Sequence, residues 1–120
     1  MKKYLDIVQE VHKSPYKLTI VSSGGGTNAI SALLEVPGAS NTILESHIPY
    51  SKESMNLYLN KKPDHYCSLD TCLNMAANAF KKSKQIDTTS KTKHLLGISI
   101  TANLATTYEK RGDHKFFIVV

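Results

Sequence analysis

Lys17-Leu18-Thr19-Ile20-Val21-Ser22-Ser23-Gly24-Gly25-Gly26 is the stretch on which the fold turns. Lys17 to Val21 is a short β-branched run, the composition of a buried strand. The glycines after Ser22-Ser23 read as a tight turn, because glycine enters backbone regions closed to other residues. Beyond it, Thr27 to Glu35 sets Ile30, Leu33 and Leu34 at helical spacing, and Val36-Pro37-Gly38 closes that helix. Strand, glycine turn and helix together are the opening unit of an α/β domain.

The same alternation extends in both directions. Residues 3–13 form an amphipathic helix with Tyr4, Val8 and Val11 as its stripe, and Pro15 stops it. Asn41 to Tyr50 reads as a strand, and Ser51 caps a short helix carrying Met55, Tyr58 and Leu59. Lys61-Lys62-Pro63-Asp64 is a loop. Ser68 caps a long helix over about 69–82, with Leu69, Cys72, Leu73, Ala76 and Phe80 as its inner stripe. Residues 81–93 place five lysines among serines and threonines and read as a solvated helix end and loop. Leu95 to Thr101 is an apolar strand, Thr106 to Asp113 a polar turn, and Lys115 to Val120 a last strand. That last strand ends on apolar residues with no covering helix. The chain is therefore expected to self-associate through it, as a homo-oligomer.

The bulk numbers agree with one folded domain. The chain has 120 residues, 41% hydrophobic and 21% charged. It has a mass of 13.3 kDa. That is room for a single core. No apolar run approaches the ~20 residues of a membrane span, and Asp6, Gln9 and Glu10 interrupt any secretion signal, so the cytoplasm is the expected location. Cys67 and Cys72 have no partners at metal-ligand spacing, His65 notwithstanding, and read as reduced thiols. The net charge of +5 allows acidic partners. The lysines lack interleaved aromatics, which makes nucleic acid an improbable partner.

Gly24-x-Gly26-x-x-Ala29, with Glu45 about twenty residues on, matches a loose dinucleotide fingerprint. The turn admits three readings: a dinucleotide site, a site for a single phosphate or carboxylate, or a turn with no ligand. No Gly-Lys-Ser/Thr follows, so a P-loop is absent. His47 lies near Ser40 and Tyr50 in sequence, and Glu45 or Asp113 could orient it, but an ordinary strand histidine is the better reading. Lys110-Arg111-Gly112-Asp113-His114 offers Arg111 to a phosphate, although a solvated turn is the simpler account.

Three segments, in order, resemble the C-terminal domain of the competence/damage-inducible CinA family, which includes nicotinamide mononucleotide deamidases. Val21-Ser22-Ser23-Gly24-Gly25-Gly26 is similar to the family's Glu-Ser-Cys-Thr-Gly-Gly turn. Val36-Pro37-Gly38-Ala39-Ser40 is similar to its Pro-Gly-Ala-Ser segment, and Pro49-Tyr50-Ser51-Lys52-Glu53 to its Tyr-Ser-Asn-Glu segment. The resemblance spans residues 3–120 and implies a three-layer α/β/α sandwich with a mixed sheet. It also implies hydrolysis of a nucleotide carboxamide without metal or organic cofactor. Ser40 would be the nucleophile, with Ser22, Tyr50 and Thr101 beside it, and Ser23, Gly24, Gly25 and Gly26 would hold the substrate phosphate or the oxyanion.

The chain departs from the family on the catalytic side. Met55 stands where the family's enzymes place the lysine that activates the serine. A serine hydroxyl is a poor nucleophile without such a base. Lys52, three residues earlier, is the substitute candidate. Val21, Ser23 and Gly24 replace the motif's Glu, Cys and Thr, and Ile100-Thr101-Ala102-Asn103 replaces a Gly-Ile-Ala-Gly-Pro loop. Two functions follow as expectations: an amidohydrolase using Ser40, Ser22, Tyr50 and Lys52, or a module that binds a small phosphorylated ligand or nucleotide without turnover. The chain also looks shorter than a CinA-type domain, as if truncated or completed by a partner.

Overall fold

In the computed structural model, which describes residues 2–103 and 115–120, β1 (Lys17–Ser23) is the middle of the construction. Its five central residues are buried. It pairs in parallel with β2 (Ile43–His47) on one side and with β3 (Leu95–Asn103) on the other. β3 pairs antiparallel with β4 (Lys115–Val119), giving a mixed four-stranded sheet in the order β2-β1-β3-β4.

Side-chain alternation sorts the two faces. Leu18 and Ile20 of β1 pack with Leu96, Ile98 and Ile100 of β3 against Ile30 and Leu33. Those two residues belong to α2 (Thr27–Glu35), and α1 (Lys2–Lys13) docks beside it. Val21 points the other way, into a cluster with Met55, Met75 and Ala79. These come from α3 (Lys52–Leu59) and α4 (Leu69–Ile86). Helices on both faces of a mixed sheet make the expected three-layer sandwich.

The structure moves several boundaries. β2 is shorter than the strand read over 41–50. Gly38 adopts φ 103°, and Asn41 N–H then bonds Gly38 O at 2.9 Å, so Ala39–Asn41 curls into a 3-10 turn. α4 runs past residue 82 to Ile86, so Lys84 joins Lys81 and Lys82 on the helix. Ser83, inside that lysine-rich stretch, is fully buried. Its hydroxyl lies 2.9 Å from Thr19 Oγ1 and 2.7 Å from Leu96 O.

The inner face of α4 is also rotated from the expected leucine stripe. Thr71, Cys72, Met75, Ala76, Ala79 and Ser83 face the sheet, while Leu69 and Leu73 are about half exposed. Gly97 explains the choice. A Cβ there would stand 2.3 Å from Phe80 N and 2.4 Å from Ala76 O. β3 and α4 approach so closely at that point that only small side chains fit between them.

The α1 stripe differs in the same way. Val8 and His12 are buried, whereas Tyr4, Leu5 and Ile7 remain exposed. His12 Nε2 donates to Leu33 O at 2.8 Å, and Nδ1 lies 3.0 Å from Thr42 Oγ1. One imidazole thus joins α1 to α2 and to the start of β2. His12→Ala is expected to cost about 2 kcal/mol, because both partners lose a hydrogen bond in a buried setting. Urea denaturation would show it, and an unchanged midpoint would refute the linking role.

Candidate functional site

The strands β1, β2 and β3 end on the same side of the sheet. The chain leaves β1 through α2 to β2 on one side and then crosses back past β1, through α3 and α4, to β3 on the other, a reversal of strand order that opens a crevice at the strands' carboxyl ends. A cleft of about 570 Å³ lies there, beside Asn103 at the end of β3 and Lys115 at the start of β4. Among the described residues, its cations are Lys52, Lys62 and Lys115, with His65 beside them and Asp64 as the one carboxylate in its wall.

Each lining group has a local reason for its place. Ser51 caps α3 by accepting from Ser54 N–H at 3.0 Å, which sets Lys52 as the first helical residue. Lys52 Nζ stands 5.7 Å from the Tyr66 ring centroid, a cation–π contact that holds the ammonium over the cleft. Tyr66 is anchored in turn by its hydroxyl, which donates to Asn56 Oδ1 at 2.8 Å. Ser68 caps α4 by accepting from Thr71 N–H at 3.2 Å. α4 runs antiparallel to β3: Cys72 meets Ser99 and Ser83 meets Leu96. Its N-terminus therefore opens at the cleft together with that of α3. Helix N-termini carry partial positive charge, so lysines and dipoles act in the same sense.

The residues picked out by sequence divide into groups. Lys52 lines the cleft, and Thr101 lies just beneath it, its hydroxyl donating to Tyr66 O at 3.3 Å. Ser23 is paired across from Thr101. The glycine turn lies at the same sheet end but packs on β3. A Cβ at Gly24, where φ is 82°, would stand 2.3 Å from Ala102 O, and one at Gly26, where φ is 90°, would stand 2.8 Å from the Ile100 side chain. Close approach to a neighbouring strand thus accounts for these two glycines. Ser22 is fully buried and its hydroxyl donates to Gly25 O, closing the turn. Tyr50 follows β2 at this end and is 77% exposed.

Ser40 is elsewhere. It sits in the 3-10 turn before β2, beside the first residues of β1, where Leu18 N–H bonds Thr42 O at 2.8 Å. Ser22 lies at the other end of β1, and Tyr50 lies beyond the other end of β2. At about 3.3 Å per strand residue, more than ~13 Å separates Ser40 from Ser22. The structure does not bring Ser40 together with Ser22, Tyr50 or Lys52. Arg111 and Asp113 lie outside the described residues.

His47 does meet an acid: its Nε2 is 3.3 Å from Glu45 Oε1. Its ring also lies 5.5 Å from that of Tyr58. Burial first, and the Glu45 charge second, push the Tyr58 phenol up to about 12. The pair lies at the carboxyl end of β2, again away from Ser40. Cys67 and Cys72 are both free thiols. Burial raises the Cys72 pKa, which suits a packed thiol hydrogen-bonded to Ser99 rather than a nucleophile. Among the described residues no group of His, Cys, Asp and Glu is placed to hold a metal ion, and no helix is long and apolar enough to cross a membrane.

Sequence reasoning missed Lys62, His65, Asn103 and Lys115 as members of one cleft. Lys61-Lys62-Pro63-Asp64, just before a helix cap, was the signal available for part of it.

No protein-family model and no curated protein sequence matches the chain. Solved structures do. A competence-damaged protein (CinA) superfamily protein from Escherichia coli superposes with a TM-score of 0.60 at 14% identity, over 83% of this chain and 55% of that one. The competence/damage inducible protein CihA from Agrobacterium tumefaciens gives 0.59 at 16% identity, over 84% and 58%. The chain has a CinA-like fold and spans little more than half the length of these solved chains.

Proposed function

We propose that this CinA-like domain binds a small phosphorylated ligand of nucleotide size at the carboxyl end of β3, without hydrolysing it. The observation that carries this reading is the convergence of Lys52, Lys62 and Lys115 on one cleft of about 570 Å³. The volume suits a mononucleotide, and the cations and helix N-termini suit its phosphate. The ligand class is the one implied by the resemblance to nicotinamide-nucleotide amidohydrolases. Binding is favoured over turnover because Ser40 has neither Lys52 nor Tyr50 beside it, and because Met55 is 1% exposed and offers no base. The two free thiols support a reducing, cytoplasmic setting.

Calorimetry with nicotinamide mononucleotide, adenosine monophosphate and inorganic phosphate tests the proposal, with nicotinamide riboside as the phosphate-free control. Heat is expected from the phosphorylated compounds alone, weakening as salt is added. Lys52→Ala is expected to loosen binding about tenfold, or about 1.4 kcal/mol. Silence from every phosphorylated compound at millimolar concentration would sink the proposal. Ammonia release from nicotinamide mononucleotide that disappears in Ser40→Ala would restore the amidase instead.

A further inference from the structure

The start of α4 carries two cysteines where many helices place two apolar residues. Ser68 is the cap, accepting from Thr71 N–H, so Cys67 immediately precedes the cap and Cys72 is the fourth helical residue. Side chains at those two positions pack against each other across the cap and staple a helix to the chain entering it.

Both sulfurs also lean on one strand. Cys67 Sγ lies 3.9 Å from Lys115 O, and Cys72 Sγ lies 3.4 Å from Phe117 O. Lys115 and Phe117 are alternate residues of β4, so their carbonyls point the same way. The thiols thus share one side of a strand as well as one helix start. Burial raises the Cys72 pKa and charge on Cys67 raises it further, so each thiol lies within the field of the other. Their surroundings differ. Cys72 is fully buried, with Ser99 Oγ at 3.1 Å, whereas Cys67 is half-buried in the wall of the cleft.

We propose that Cys67 and Cys72 form a redox-modification site, closing to an internal disulfide by exchange with a low-molecular-weight disulfide of the glutathione kind. The Cys67 thiolate attacks one sulfur of the small disulfide, forming a mixed disulfide and expelling one small thiolate. Cys72 then loses its proton to solvent and attacks the Cys67 sulfur, which expels the second small thiolate. Two protein thiols are oxidised, and one small disulfide is reduced to two thiols. Burial makes Cys72 the slower, resolving sulfur. The new bond turns Cys67 inward from Lys115 O. Its neighbour Tyr66 holds Lys52 over the cleft, so closure alters the cationic wall.

Intact-mass measurement of the full chain in a buffer of oxidised and reduced glutathione tests this. The chain has two cysteines, so a monomer lighter by two hydrogens carries the Cys67–Cys72 bond and no other. That species is expected, preceded by a transient adduct of one glutathione. Its equilibrium against the glutathione couple is expected to be about tenfold more favourable in the folded chain than in urea, because the helix start holds the thiols together. An inert folded chain, a lasting single adduct, a disulfide between two chains, or an equilibrium no better than in urea overturns the proposal. The effect on the cleft rests on the phosphate reading given above. Inorganic phosphate is expected to bind the oxidised chain about threefold more weakly than the reduced chain. Equal affinities would refute redox control of the cleft. A reduced chain that ignores phosphate would instead sink the ligand reading and leave the disulfide to be judged by mass.

Discussion

Met55→Lys is expected to destabilise the domain by about 4 kcal/mol at neutral pH and to recover much of that loss as the pH approaches 10. Met55 occupies the position where the resemblance calls for a catalytic lysine. The structure makes it a core residue, 1% exposed and packed with Val21, Met75 and Ala79. An ammonium there loses its hydration without gaining a carboxylate partner, so burial depresses its pKa. The unfolded chain keeps a lysine near the ordinary value of about 10.4. Between those two values the unfolded state binds more protons, and stability therefore rises with pH. Urea midpoints for wild type and variant at neutral pH and near pH 10 would show the difference. Equal midpoints at both would mean that the side chain reaches solvent through the cleft. Ammonia release gained by the variant would overturn the non-catalytic reading as well.

Gly97→Val is expected to cost about 3 kcal/mol or more and to lower the melting temperature by roughly 10 °C. The neighbours of the added Cβ are Phe80 N at 2.3 Å and Ala76 O at 2.4 Å, both backbone atoms of α4 that no rotamer change can move. Relief requires lifting the helix from β3. That would also separate Cys72 from Ser99, and Ser83 from Thr19 and Leu96. Gln85→Ala, exposed on the same helix, should leave the transition nearly unchanged. Calorimetric scans that put the two variants within 1 °C of each other would show that α4 is not seated on Gly97.

These two positions illustrate what pattern reading can reach. Among the described residues, hydrophobic spacing and turn residues were enough to locate the four α-helices and four strands, though not the 3-10 turns, because each depends on local chemistry: Ser51 and Ser68 as caps, Pro15 as a stop, glycines after β1. Helix faces were harder. The stripe read for α4 was right at Cys72 and Ala76, but the helix turns Leu69 and Leu73 outward and lies on Met75, Ala79 and Ser83 as well. The deciding fact is the close approach at Gly97, a residue more than ten positions away on another element. His12 shows the same limit, since nothing local distinguishes a buried bridging histidine from a surface one.

The candidate site divides along the same line. Sequence by itself determined the order of elements, the glycine turn at the end of β1 and the absence of a lysine at Met55, because these are properties of adjacent residues. Tertiary structure alone decided which of them meet. Parallel pairing of β1 and β2 carries Ser40 to one end of the sheet and Ser22 and Tyr50 to the other. The crossover to β3 brings Lys52, Lys62 and Lys115 to a single cleft, although more than sixty residues separate the first from the last. Strand direction and crossover path are set by the packing of the whole sheet, and no short segment of the chain contains them.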